Sequence, residues 1–411
     1  MKIFVIIDGV GDLPVPALGG KTPLEAAHIP NLDWFAAHGK SGYVYSIREG
    51  VAPESDGAII ALLGYNVERL YTGRGPLEAY GAGVLFEEGS LVLRTNFATV
   101  DGDKVVDRRA GRGLTTKEAK LLEKEINKGV KLSYPFTYRS TVQHRGVIVV
   151  HGHFSDEISN IDPEYTRMGK IGVAHAVETD VLERCVPLSA SALAKKSADI
   201  INDFFIQTEK VLGVSPVNKK RARGGLLPAN ALLLRDAGIK LPNLTKKDGW
   251  AAVVSMPLEV GIAKRCGMRV LEFAYPEMKT MNVYDNLYDG LHKAVDESKK
   301  SIMNGAVGSY YIHFKEVDSC GHDGRHEDKI KMLEFLDREF FSFVRELRDV
   351  QLIVTGDHST PCIKKAHSDD PVPLLFYGGG SDGVGRFNEK DCVKGSLGKV
   401  YGKDVLRVCG F

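Results

Sequence analysis

The residues best suited to chemistry in this 411-residue chain are carboxylates, imidazoles and one serine, each placed just after an apolar run or at a helix start. Thr355-Gly356-Asp357-His358-Ser359-Thr360 follows Val350-Gln351-Leu352-Ile353-Val354, which reads as a buried strand. A strand ending in Asp-His sets an oxygen and an imidazole ligand side by side at its carboxyl edge, where α/β sheets bind ligands. His367 follows shortly after, beside Asp369-Asp370-Pro371. Asp8 stands in the same way after the run 2–7, and Asp318 and His322 after the run 309–314. Ser55, in Pro53-Glu54-Ser55-Asp56-Gly57, opens an apolar helix whose backbone N–H groups and dipole favour an anion. A helix cap or a packing histidine explains any one of these alone. Together they form a mixed carboxylate and imidazole set suited to divalent ions such as Mn²⁺ or Zn²⁺. Seven groups exceed one tetrahedral ion and suffice for two, the apparatus for in-line displacement at phosphorus. A serine hydroxyl between two ions can serve as a covalent nucleophile.

The elements that must position these groups alternate. Strand-like runs at 231–234, 250–255, 270–273 and 309–314 are interleaved with helix patterns at 258–266, 288–304 and 329–348. Such alternation predicts a doubly wound, mostly parallel sheet covered by helices on both faces. Near the N-terminus, Thr22-Pro23-Leu24-Glu25 carries a cap, a first-turn proline and a capping-box glutamate. From about residue 91 the texture changes to strand pieces, a helix pattern at 116–128, a long one at 189–213 and two basic runs. One run is Asp107-Arg108-Arg109-Ala110-Gly111-Arg112; the other, Lys219-Lys220-Arg221-Ala222-Arg223, reads equally as a hinge, an anion clamp or a solvated face. An inserted domain over 90–227, between halves 1–89 and 228–411, is expected, as the chain is long for one core. Lys+Arg 54 against Asp+Glu 53 gives no support to a nucleic-acid or anionic-membrane partner. No apolar run approaches the roughly eighteen residues of a membrane span. Six cysteines without a CxxC pair point to reduced thiols and a cytoplasmic setting.

The set Asp8, Ser55, Asp318-x-x-x-His322, Asp357-His358 and His367 resembles the alkaline phosphatase superfamily. Within it, the chain is similar to the archaeal type of cofactor-independent (2,3-bisphosphoglycerate-independent) phosphoglycerate mutases, nearly end to end. The motifs that carry this include Lys21-Thr22-Pro23-Leu24-Glu25-Ala26-Ala27, Tyr71-Thr72-Gly73-Arg74-Gly75-Pro76 and Gly321-His322-Asp323-Gly324, besides the Asp107 and Thr355 runs. The resemblance implies an alkaline-phosphatase-like α/β fold with a smaller α+β cap. It implies an isomerase that interconverts 3-phosphoglycerate and 2-phosphoglycerate through a phosphoserine at Ser55, without 2,3-bisphosphoglycerate. Asp8, Ser55, Asp357 and His358 would hold one ion and Asp318, His322 and His367 the other, with Mn²⁺ expected and Mg²⁺, Zn²⁺ or Co²⁺ open. Arg108, Arg109, Arg112, His144, Arg145 and Lys279 are the expected substrate clamps, since guanidinium forks match carboxylate and phosphate. A small phosphoglycerate is the expected partner, with no nucleic acid and no membrane; a homo-oligomer stays open. So does a metal-dependent phosphomonoesterase or a phosphopentomutase-like enzyme, because the metal ligands would be the same.

The chain departs from the family pattern beside the nucleophile. Glu54 precedes Ser55 and Ile59 stands where a histidine is usual, so an incoming phosphate would meet a carboxylate unless Glu54 points away.

Overall fold

In a computed structural model of the chain, residues 1–174, 180–280, 282–305 and 307–411 are described. In chain order the strands are β1 (Lys2–Ile7), β2 (Lys40–Tyr45), β3 (Leu91–Asp101), β4 (Lys104–Asp107) and β5 (Phe136–Ser140). They continue as β6 (Arg145–Val150), β7 (Tyr165–Met168), β8 (Ile171–Ala174), β9 (Ala231–Gly238) and β10 (Trp250–Val254). The last are β11 (Arg269–Glu272), β12 (Ser309–Phe314), β13 (Gln351–Thr355), β14 (Val372–Tyr377) and β15 (Gly398–Tyr401).

The larger sheet runs β11-β10-β12-β1-β13-β14-β2-β15. The first five are mutually parallel, β14 is antiparallel to both its neighbours, and β15 is parallel to β2. Its central strands are largely apolar, as Ile3–Ile7 of β1 shows, because both faces are covered. Ile3, Val5 and Ile7 of β1 join one buried cluster with Leu291, Leu333 and Phe340 of the helices Val283–Met303, His326–Leu336 and the segment Asp337–Phe341. Phe4 and Ile6 join another with Ile59, Leu62 and Ile262, from the helices Ser55–Leu62 and Pro257–Arg265. This is the doubly wound, mostly parallel sheet that the alternation predicts.

The second sheet is antiparallel, ordered β4-β3-β6-β5, with β9 also paired to β3. It packs on the helices Thr116–Gly129 and Ala192–Gly213 through a separate cluster that includes Leu93, Phe97, Leu122, Ile148 and Phe204. β9 joins the second sheet although its residues follow the expected boundary at residue 227. The run Ala231-Leu232-Leu233-Leu234 reads as the first strand of the resumed alternation, yet it is paired along β3 from Ala98 to Thr95. A continuous apolar run does not say which sheet buries it. The basic run 219–225 also has a definite role. Arg221, fully buried, donates to the carbonyls of Leu227, Gly113 and Ala110 and to Glu118, and so anchors the end of the 107–113 loop.

Among the described residues no helix is long and apolar enough to cross a membrane. The six cysteines are free and buried.

Candidate active site

Three neighbouring strands, β12, β1 and β13, deliver most of the chemistry at their carboxyl ends. Asp8 follows β1, and its N–H donates to the Phe314 carbonyl at the end of β12. Asp357 and His358 follow β13. The helix Glu316–Asp323 leaves β12 almost at once and carries Asp318 and His322 one turn apart on the same face. Gly9 lets these loops close up. Its φ is +63°, and a Cβ there would lie 2.7 Å from Thr360 Oγ1 and 2.8 Å from Asp318 Oδ1. Ser55 is the first residue of its helix, and Glu54 before it does not use its side chain as a cap.

The seven residues converge as two adjoining groups. In the first, His358 Nε2 lies 3.3 Å from Ser55 Oγ, 3.4 Å from Asp8 Oδ1 and 3.3 Å from Asp357 Oδ2. In the second, His322 Nε2 lies 3.2 Å from His367 Nε2 and 3.5 Å from Asp318 Oδ2, with His367 Nε2 3.7 Å from Asp318 Oδ1. The rings of His358 and His367 stack at 3.6 Å between centroids, which joins the groups.

The outward nitrogens reveal what the inward ones offer. His367 Nδ1 is 2.9 Å from the Pro53 carbonyl and His322 Nδ1 3.2 Å from that of Lys365, so each Nδ1 must carry the proton. His358 Nδ1 is 3.0 Å from Thr360 Oγ1, which spends its own hydrogen on Asp318 Oδ1 at 2.7 Å. All three Nε2 lone pairs therefore point at one another and at carboxylates, with no hydrogen between. Asp8 Oδ1 and Asp357 Oδ2 are buried and have no hydrogen-bond partner. Inward lone pairs with outer nitrogens bonded to carbonyl or hydroxyl oxygens are the arrangement of a metal centre, and the residues fit divalent cations. Asp8, Asp357 and His358, and likewise Asp318, His358 and His367, each offer ligand atoms within 4.8 Å of one another.

Electrostatics agree. Burial draws His322 and His367 down to about 4, so both rings are neutral and able to ligate at neutral pH. Burial, together with the Asp8 charge, pushes Asp357 up to about 8, as expected of two crowded carboxylates. Burial also opposes ionisation of Asp8, but Lys315, whose Nζ is 2.5 Å from Asp8 Oδ2, holds it well below the usual carboxylate range.

The facing wall is cationic. Arg94 of β3, Arg235 of β9, Arg145 at the start of β6 and Arg109 of the 107–113 loop line a cavity with Ser55, Asp8 and His367. Its volume is about 80 Å³, and it adjoins a second cavity of about 100 Å³ that shares Arg109, His144, Arg145 and Lys315. Among the described residues neither Arg109 nor Arg145 forms an ion pair within 4.0 Å. Burial, and after it the neighbouring arginines, pull Arg109 down to about 10 and Arg94 to about 9.

A serine hydroxyl between converging carboxylate and imidazole groups on one side and arginines on the other suits a substrate with more than one anionic group. The sequence model of the 2,3-bisphosphoglycerate-independent phosphoglycerate mutase family matches residues 36–218. A mutase of that name from Aeropyrum pernix is 37% identical over 423 aligned positions, covering 98% of this chain and 97% of its own. The chain belongs to this isomerase family. The Pyrococcus furiosus mutase is 36% identical over 99% of this chain and 95% of its own. Among solved structures, the cofactor-independent phosphoglycerate mutase from Thermoplasma acidophilum superposes with a TM-score of 0.54 at 30% identity, covering 99% of this chain and 98% of its own. A Pyrococcus horikoshii protein superposes with 0.74 at 28%, covering 100% and 97%.

With the mutase family established, the expected substrate clamps divide. His144 is buried, and Arg109 and Arg145 half-buried, on the cavity walls. Arg108 reaches the same cavity, but its guanidinium forks onto Asp162 at 2.5 Å and also meets Glu164. Arg112 lines the adjoining cavity and makes a two-pronged pair with Asp323, at 2.5 and 2.6 Å, across the two sheets' territories. Lys279 is not brought to the site: its side chain is 71% exposed and paired with Asp289 at 2.7 Å.

Several residues of the site are absent from that set. Lys315, directly after β12, occupies the same position relative to its strand that Asp8 does to β1, and this parity was the available signal. Its ammonium also meets Glu259 at 2.9 Å. Glu259 is carried there by the helix Pro257–Arg265, which crosses the helix Arg74–Gly81 so closely that a Cβ on Gly261 would lie 2.0 Å from the Leu77 carbonyl. Arg94 and Arg235 each interrupt an apolar run, Leu91-Val92-Leu93 and Leu232-Leu233-Leu234, where a charge needs a reason. Glu54, finally, points away from the ligand cluster and into the arginines.

Proposed function

We propose that the protein interconverts 3-phosphoglycerate and 2-phosphoglycerate through a phosphoserine at Ser55, without 2,3-bisphosphoglycerate. The observation that carries this is the position of Ser55 Oγ, 3.3 Å from His358 Nε2 in a cluster of inward lone pairs and facing unpaired Arg109 and Arg145. Two divalent cations, most simply Mn²⁺, would be held by Asp8, Ser55, Asp357 and His358 and by Asp318, His322 and His367; their charge would let the serine hydroxyl ionise and would screen the phosphoryl oxygens.

The chain's own residues do the rest. Arg109 and Arg145 hold the substrate's anionic groups by charge-assisted hydrogen bonds. Ser55 Oγ forms a bond to phosphorus as the bond to the first glycerate oxygen breaks. The freed glycerate, kept by the arginines, presents its other hydroxyl, and the phosphoryl group leaves Ser55 for that oxygen. Such a sequence needs a site closed to water between the two transfers. The second sheet, with its separate core, is read as the cap domain that closes it; the Arg112–Asp323 pair is one of its fastenings.

Supplying 3-phosphoglycerate and Mn²⁺ with no bisphosphoglycerate tests this. The expected product is 2-phosphoglycerate with little free phosphate. Free phosphate alone would make the protein a phosphomonoesterase and contradict the reading.

A further inference from the structure

The register of the second sheet opposes two like charges. Arg94 of β3 is the direct cross-strand partner of Arg235 of β9, and both are buried. Like charges so placed repel, the more strongly where water is excluded. What offsets the repulsion comes from the other sheet's territory. The Glu54 carboxylate, 2% exposed, accepts from Arg235 Nη1 at 2.7 Å and from Arg74 Nη1 at 3.1 Å, with Arg94 Nη1 4.0 Å away. It is held tightly in place: a Cβ on Gly172 of β8 would lie 2.7 Å from Glu54 Oε1. Glu78 shares the load, 2.7 Å from Arg74 and 3.4 Å from Arg94, while Asp162 and Asp236 lie 3.6 Å from Arg235 Nε.

This carboxylate belongs to the residue before Ser55, and Glu54, Arg74, Arg94 and Arg235 all line the cavity into which Ser55 opens. A phosphate entering that cavity meets the same guanidiniums that Glu54 already engages. We propose that Glu54 is a positioning residue: a resident counter-anion that fixes Arg74, Arg94 and Arg235 beside the nucleophile and limits how tightly the site holds phosphate. The inference rests on the phosphoglycerate reading and adds to it. Without Glu54 the cavity keeps its cations, loses a competing negative charge and binds phosphate too well to release product quickly.

The test is calorimetric binding of inorganic phosphate to the Mn²⁺-loaded enzyme, alongside turnover of 3-phosphoglycerate. Glu54→Gln is expected to tighten phosphate binding about tenfold, with KM and kcat falling together as release becomes limiting. Damage to the fold cannot tighten binding, so that readout separates this role from a structural one. Glu54→Asp, which keeps the charge, is expected to stay within about threefold of wild type. Adding Arg94→Gln to Glu54→Gln removes a cation as well and is expected to return the affinity towards wild type, whereas Arg94→Gln alone weakens it about tenfold. Unchanged or weaker phosphate binding in folded Glu54→Gln enzyme with wild-type metal content overturns the proposal. Should that variant not fold, phosphate affinity unaltered by Arg94→Gln alone overturns it. A wild-type enzyme that turns over phosphoglycerate in either case leaves the functional reading standing, and one that neither turns it over nor binds phosphate overturns both.

Discussion

Ser55 stands between two walls built on opposite principles. The wall behind it, from the ends of β1, β12 and β13, gathers carboxylates and imidazoles whose lone pairs converge. The wall in front, from β3, β6, β9 and the 107–113 loop, gathers guanidiniums, some matched to carboxylates and some not. One is short of positive charge and the other has it to spare. A nucleophile between them can be activated from one side and fed anionic substrate from the other, and changes to the two walls should fail in different ways.

The largest effect is expected where both walls act on one atom. Ser55→Ala removes the proposed acceptor of the phosphoryl group and should lower turnover by about 10⁴-fold or more. It leaves the arginines in place, so calorimetry should still detect 3-phosphoglycerate binding. A rate within tenfold of wild type would break the account of Ser55.

The ligand wall comes next. Asp318→Ala should lower the rate by about 10³-fold, beyond the 10–100-fold typical of groups that only orient a ligand. Elemental analysis should show metal content falling from two ions per chain to about one. Arg145→Met, on the other wall, should lower kcat/KM by about 10²-fold, or roughly 2.7 kcal/mol of lost transition-state binding, with metal content unchanged. Loss of metal in the arginine variant would erase the distinction between the walls.

How the two walls were read from sequence also differs. The candidate ligands sit in loops that follow strands, so the apolar runs 2–7, 309–314 and 350–354 point to Asp8, Asp318, Asp357 and His358 from the sequence. The parallel part of the larger sheet was legible for the same reason, as runs such as 2–7 and 350–354 are buried on both faces, whereas β2 and β15 at its far edge were not read as strands. The arginine wall depends on which sheet a strand joins. Nothing in Leu232-Leu233-Leu234-Arg235 says that it pairs with β3, so neither the true reach of the second sheet nor the pairing of Arg94 with Arg235 could be seen. Arg108, Arg109 and Arg112 are near neighbours in sequence, yet they end on Asp162, on the open cavity and on Asp323. That divergence is set by a loop whose Ala110, Gly111 and Arg112 all have positive φ, which composition does not reveal. Glu54 is the sharpest case: a carboxylate before the nucleophile reads as repulsive to phosphate until its arginine partners are known.

The smallest effect concerns pH and the metal-free protein. His322 and His367 fall from about 6.5 when unfolded to about 4 when folded, because burial disfavours their charged forms. Below pH 6.5 the unfolded chain takes up protons that the folded one refuses. The stability they contribute is therefore complete above pH 6.5 and lost as pH falls towards 4. Metal-free protein should lose stability across that window by urea titration, and the His322→Gln, His367→Gln double variant should lose less. Equal losses would move the effect to other groups.

The most direct measurement of the central claim is rapid quench of Mn²⁺-loaded enzyme mixed with 3-phosphoglycerate, followed by mass spectrometry of the peptide containing Ser55. A phosphoryl group on Ser55 that forms and decays at least as fast as 2-phosphoglycerate appears is the predicted result. Full turnover with no phosphoryl group on the protein, or with one on any other residue, would contradict it.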